Sequence, residues 1–216
     1  MIFVSKYFLK LKNKRWLYCC LFILLFTSCK PHTIERDYTH QYKKIDSVKI
    51  ILQTGDLIVR NGIDEVSMAT RKFNRKDTSF SHCGIIQIEN DSQFVYHALG
   101  GSYNPPQTLM RQPLNSFCNP KEVDKFAIYR YEFTPVENIL LSEIIHEHHK
   151  NRLPFDMFFN FDTDDKMYCS EFVFKSINNA TNNSAYKAVP RSQPMYITVD
   201  DLFLDNRVIL IKQVIF

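Results

Sequence analysis

Three residues stand out for the chemistry their types and spacing could support. Cys169 lies in "MYCSEFVF" (167–174), at or just before a predicted helix start. Unpaired backbone N–H groups there favour a thiolate and can receive an oxyanion formed beside the sulfur. His82 lies in "SHCGII" and His97 in "VYHA". An imidazole within reach of a thiol is a general base, and a polar neighbour on its other nitrogen sets its tautomer. In an extended segment His82 and Gly84 share one face while Cys83 points to the other, so the spacing predicts that His82 meets the nucleophile and Cys83 does not. A free cysteine is more often packing than chemistry, and spacing alone does not decide for Cys169.

These residues need elements to hold them. "SHCGIIQIEN" and "SQFVYHALGG" are two strand-like runs around Asn90-Asp91, a turn pair that predicts a β-hairpin with His97 facing His82 across it. "TGDLIVR" and "DKFAIYRYEF" read as further strands, and "RVILIKQVIF" closes the chain as another. Helical spacing groups Val66, Ala69, Thr70 and Phe73 in one segment, and Leu141, Ile144, Ile145 and His148 in "ENILLSEIIHEHHK". In the Cys169 helix it groups Phe172, Val173, Ser176 and Ile177, with Asp164 and Asp165 as caps. Strands grouped together with helices outside that run predict an α+β domain.

The N-terminus reads differently. Lys6, Lys10, Lys12, Lys14 and Arg15 precede "WLYCCLFILLFTS", an apolar run that is short for a bilayer span and typical of a signal peptide. It ends at "FTSC", similar to a bacterial lipoprotein cleavage site with Cys29 as the lipidated residue. Residues 1–28 are therefore expected to be a leader, 29–47 a polar tether or loose first helix, and 48–216 the folded domain. The leader carries five of the 27 Lys and Arg and none of the 23 Asp and Glu, which leaves 22 against 23, a formal net charge of −1. No basic stripe remains to suggest nucleic acid. Beyond Cys29 the thiols are Cys83, Cys118 and Cys169; three cannot all pair within one chain, so a free thiol in an exported body calls for a reason.

"GDLIVR", "SHCGII", "VYHA", "PFDMFF" and "YCSEFV", in that order, resemble the circularly permuted branch of the NlpC-type papain-like cysteine hydrolases, the YiiX/YebB-like group related to lecithin retinol acyltransferase. In the ordinary branch the Cys helix precedes the strands; here it follows them. The resemblance implies an antiparallel sheet packed against helices that include the Cys helix. It makes Cys169 the nucleophile, His82 the base and His97 the third polar residue, where many relatives carry Glu. It places Tyr168, Phe155, Asp156 and Phe159 around the substrate, with Tyr168 a pocket or oxyanion donor, and leaves Glu171 structural. The activity implied is amide cleavage through a thioester without a cofactor, on a cell-wall peptide, in a bacterial envelope protein held to the membrane by its lipid. Lipid acyl hydrolysis or transfer, and non-catalytic binding of wall peptides, are the alternatives. The loops at 100–120 and 180–197 are expected to shape the pocket.

"HEHHK" at 146–150 invites a metal assignment, but a zinc helix of the HExxH kind needs a second His four residues after His146, where Lys150 stands. No metal is expected.

Overall fold

The computed structural model describes residues 36–185 and 196–216. The expected leader, Cys29, the first part of the tether and most of the 180–197 loop lie outside the described residues.

One six-stranded sheet is built from β1 (Leu57–Gly62), β2 (His82–Glu89), β3 (Ser92–His97), β4 (Met110–Pro113), β5 (Val123–Tyr131) and β6 (Val208–Ile215), with β-branched residues concentrated in β1, β2 and β6. Its order is β4-β3-β2-β1-β5-β6, and every neighbouring pair is antiparallel. β2 and β3 form the expected hairpin: Glu89 pairs with Ser92, and Asn90 and Asp91 both take positive φ, 47° and 62°, as a two-residue primed turn requires.

The helices are α1 (Thr39–Val48), α2 (Glu65–Arg71), α3 (Leu114–Phe117), α4 (Pro135–Lys150), α5 (Cys169–Ala180) and α6 (Val199–Phe203). Thr134 and Glu137 cap α4 reciprocally, and Pro135 opens it where a missing N–H costs nothing.

Because β1 and β2 are covered on both faces, the core divides in two. On one face Leu57, Val59, Cys83, Ile85 and Tyr96 pack against Leu141 and Ile145 of α4 and Phe172, Val173 and Ile177 of α5. On the other, Ile58, Ile86, Val95, Phe126 and Ile128 pack against Ile45 and Val48 of α1 and Leu114 and Phe117 of α3. Alternation along each strand decides which residues go to which face. Asp56, one residue ahead of β1, is 1% exposed and grips Arg130 of β5 through two bonds of 2.7 and 2.8 Å.

Among the described residues a largely polar helix, α1, precedes Val48; it is held by Ile45 and Val48, too few apolar positions to stand out in its sequence. Two expectations are corrected. Helix α2 buries none of its residues, so the Val66-Phe73 spacing is not a core face; Val66 and Phe73 are exposed. Asp164 and Asp165 do not cap α5, whose cap residue is Tyr168, and Asp164 instead binds Lys175 at 2.6 Å.

Candidate active site

Cys169 is the first residue of α5, a helix buried on nearly every side. The entry is fixed by Glu171, which is fully buried, accepts the Tyr168 N–H at 3.2 Å and lies 2.9 Å from Lys175 Nζ. Burial outweighs that lysine and pushes the Glu171 carboxyl up to about 7. Through these contacts it braces the start of α5. The Cys169 thiol is shifted toward the thiolate, first by a hydrogen bond from the Cys83 side chain, against burial, and further by the backbone N–H groups of Ser170 and Cys83.

His82 and His97 meet as the hairpin predicts. His82 Nε2 lies 2.8 Å from His97 Nδ1, and His97 Nε2 lies 3.1 Å from Oε1 of Gln112 on β4. The chain sets the tautomers. Gln112 Oε1 can only accept, so His97 Nε2 donates and His97 Nδ1 accepts; His82 Nε2 therefore donates, which leaves the lone pair of His82 on Nδ1. Both rings are kept neutral. Burial, with the charges of His97 and Arg60, holds His82 well below its ordinary 6.5, and burial with Arg60 takes His97 down to about 3.

Gly84 makes this contact possible. A Cβ there would lie 2.6 Å from Val95 Cγ1 and 3.0 Å from His97 Cβ, so only glycine lets β3 bring His97 this close.

The alternation along β2 was read correctly, but the helix lies against the other side. Cys83, not His82, lies with Cys169 in the core that α5 covers. His82 turns toward the face of Ile86, beside His97 and the Phe117 ring, whose centroid is 5.8 Å away. Among the described residues no hydrogen bond joins Cys169 to His82, and Nδ1 of His82 makes none. Cys83 and Ile85 supply the surface on which α5 packs, while Ile86 faces the other core.

The other expected site residues divide. Phe155 pairs with Met167, which sets it beside the entry to α5. Phe159, at φ 54°, lays its ring 5.2 Å from that of Tyr168 and 6.3 Å from that of Phe155. Asp156 does not line an open cleft: it is fully buried and accepts the N–H groups of Phe158 and Asn160 at 2.9 and 2.6 Å, which shapes the loop carrying Phe159. Tyr168 is 2% exposed and its hydroxyl accepts the Ile197 N–H at 2.8 Å, so it anchors the approach to α6.

Arg60, Gln112 and Cys83 were not assigned roles from the sequence. Arg60 pairs with His82 across β1 and β2 and lies over the Phe117 ring at 4.6 Å. It ends the "GDLIVR" motif, and a charge two residues after Ile58 on an inward face was the available signal. Gln112, on a four-residue strand, gave none. In "HEHHK", His146 lies 3.3 Å from Glu89 and His149 packs edge-on to Tyr96. Among the described residues no group of three or more His, Cys, Asp or Glu is arranged to hold a metal ion.

Comparison with known proteins agrees with the architecture. Residues 51–195 match the family described as permuted papain-like amidase enzyme, YaeF/YiiX, C92 family. The chain is 28% identical to the uncharacterized protein YiiX of Escherichia coli K12 over 130 residues, which cover 59% of this chain and only 58% of that protein. It also resembles the crystal structure of metalloprotein yiiX from Escherichia coli O157:H7, with a TM-score of 0.59 at 20% identity, over 76% of this chain and 98% of that one. With the family match spanning well over half of the sequence, and the strands and late Cys helix in the permuted order, this chain belongs to the permuted papain-like amidase family of YaeF and YiiX.

Proposed function

We propose that this protein is a cysteine hydrolase in which Cys169 attacks an amide carbonyl, forms a thioester and releases it to water. The observation that carries the reading is the directed chain Gln112–His97–His82, which leaves an unprotonated Nδ1 on His82, together with a thiol shifted toward thiolate at a helix start. His82 takes the Cys169 proton as the carbon–sulfur bond forms and returns it to the leaving nitrogen; N–H groups at the helix start hold the oxyanion. The reading requires the start of β2 to turn when substrate binds, so that Nδ1 of His82 leaves the Phe117 side of the sheet and reaches the sulfur. A cell-wall peptide amide is the first substrate, cleaved by an envelope protein tethered through Cys29.

A lipid acyl substrate is the second reading. It is favoured by Met157, Phe158 and Phe159, which are 55%, 83% and 44% exposed in the loop beside Tyr168.

The test is to incubate the protein with a mixed pool of wall fragments and phospholipids and to look for an acyl adduct by mass spectrometry. The expected result is an adduct on Cys169 that is absent from Cys169→Ala and slowed in His82→Ala. If Cys169 reacts with iodoacetamide no faster than a model thiol near neutral pH and no adduct forms, the hydrolase reading fails.

A further inference from the structure

The helical spacing of Val66, Ala69 and Phe73 is used neither by the core nor by the hydrolase mechanism. Helix α2 carries this stripe outward: none of its residues is buried, Ala69 is exposed, and Val66 and Phe73 are 65% and 62% exposed. The stripe does not end at the helix. The Phe73 ring stacks on that of Phe159 at 6.4 Å, and Met157 and Phe158 extend the same loop at 55% and 83% exposed. Two segments distant in the chain thus present one apolar ridge to solvent, and a ridge of this kind marks a contact surface.

Buried carboxylates hold the ridge in shape. Asp200 of α6, 1% exposed, accepts the N–H groups of Arg75, Lys76 and Asp77 at 2.9, 2.8 and 3.3 Å, which fixes the chain just after Phe73. Asp156 does the same for the loop of Phe158 through its bonds to the N–H groups of Phe158 and Asn160. A buried carboxylate is costly unless its oxygens are engaged, and here they are engaged in setting exposed aromatics in fixed positions. Little freedom is then lost when the ridge is covered.

The charge beside the ridge selects what covers it. "RKFNRK" (71–76) places four cations and no acid around Phe73. Arg75 is held by Asp201 at 3.4 Å, whereas Lys72 and Lys76 are exposed and make no ion pair among the described residues. Asp77, the first acid after this run, turns back to accept the Ser79 N–H at 2.7 Å. Lys166 lies over the Phe158 ring at 5.2 Å, while Asp162 and Asp165 follow the aromatic loop, so the cationic side of the ridge is that of α2. Projecting aromatics bordered by lysines match a bilayer interface, where rings enter the headgroup layer and ammonium groups meet anionic headgroups.

We propose that this ridge docks the protein on a membrane surface carrying anionic headgroups, with Phe73 and Phe158 entering the headgroup layer and Lys72 and Lys76 meeting its phosphates. Phe159 links the ridge to Tyr168, 5.2 Å away, so docking turns the entry of α5 toward the bilayer. The contact does not depend on Cys169 being a nucleophile, and it is additional to any lipid at Cys29.

The experiment adds a tryptophan to the full chain, either on the ridge (Phe158→Trp) or just beyond α1 at Ile50, which is 88% exposed (Ile50→Trp). Each variant, and the parent chain with Trp16 as its one tryptophan, is mixed with vesicles of phosphatidylcholine and phosphatidylglycerol that carry brominated acyl chains, and the fluorescence above the parent's is followed. The expected result is quenching of the Phe158→Trp signal and not of the Ile50→Trp signal. The quenching is lost without phosphatidylglycerol, falls by about tenfold or more when Lys72→Glu and Lys76→Glu are combined with Phe158→Trp, and persists with Cys169→Ala. Equal quenching at both positions, as an N-terminal anchor alone would give, overturns the proposal, as does a Phe158→Trp signal that the vesicles leave unchanged. Self-association of the full chain that Phe73→Ser abolishes, with no quenching at position 158, assigns the ridge to a second copy and also overturns it. Quenching at position 158 in a protein that forms no acyl adduct keeps this inference and rejects the hydrolase reading.

Discussion

At the scale of single residues, the site is governed by which groups are kept neutral. His82 and His97 occupy a buried face with Arg60 nearby, and in that setting a second positive charge is costly, so the proton on each ring is assigned by hydrogen bonding. Gln112 therefore matters although it touches neither the sulfur nor His82. Replacing it with leucine releases the His97 tautomer and with it the lone pair on His82 Nδ1. The expected result is a fall of about tenfold in the rate at which Cys169 forms the acyl adduct, with unfolding by urea little changed. A fall in stability without a change in adduct formation would instead mark Gln112 as packing.

The same neutrality sets a pH dependence. In the unfolded chain His97 gains its proton near 6.5, whereas in the fold it stays neutral down to about 3. Between those values the unfolded state binds the proton and the folded state does not, so stability falls as pH falls through that window. One such group contributes a slope of up to about 1.4 kcal/mol per pH unit. His82 is depressed in the same direction and adds to it. Urea unfolding of wild type and His97→Gln from pH 7 to 4 checks this: the variant is expected to show the shallower dependence.

At the scale of elements, the hairpin and the central strand do most of the positioning. Gly84→Ala is expected to push β3 away from β2 at His97, since a Cβ would lie 2.8 Å from the Tyr96 carbonyl oxygen as well. The Asp56–Arg130 pair ties the start of β1 to β5. Asp56→Ala leaves the partly exposed Arg130 guanidinium with the Ile51 carbonyl and without its carboxylate, and leaves the Gln53 N–H without its acceptor, at a cost of about 2 kcal/mol, measurable as a lower urea midpoint with an unchanged slope.

The elements that were legible in the sequence share a physical cause. β2, β5 and α5 bury enough apolar residues to impose their own period, α4 shows its helix through Leu141, Ile144 and Ile145 over sixteen residues, and the Asn90-Asp91 turn has backbone angles that few other pairs adopt cheaply. β4 and α6 were missed because four or five residues are too few to show a period, although Gln112 and the Asp200 region depend on them.

At the scale of the whole molecule, the consequence is a sheet with a core on each side. α1 closes the second core, and the expected tether was in part this helix. Ile45→Ala is expected to cost about 2–4 kcal/mol, as a fully buried aliphatic does, with the loss read by chemical denaturation. A cost near zero would show that α1 is a loosely attached approach segment after all.

What the amino-acid sequence determined by itself was local and ordered: the hairpin, the strand and helix identities, the permuted order of the motifs, and a cysteine at a helix start. Those follow from backbone preference and period, which act over a few residues. Only the tertiary structure decided which face of β2 the Cys helix covers. Alternation separates His82 from Cys83 with certainty, but it carries no sign, and the choice is made when α4 and α5 bury the Cys83 side and α1 and α3 bury the other. That choice placed Cys83 in the core that α5 covers and sent His82 to His97, whose other nitrogen meets Gln112, because packing is a property of both layers at once and neither strand nor helix contains it alone.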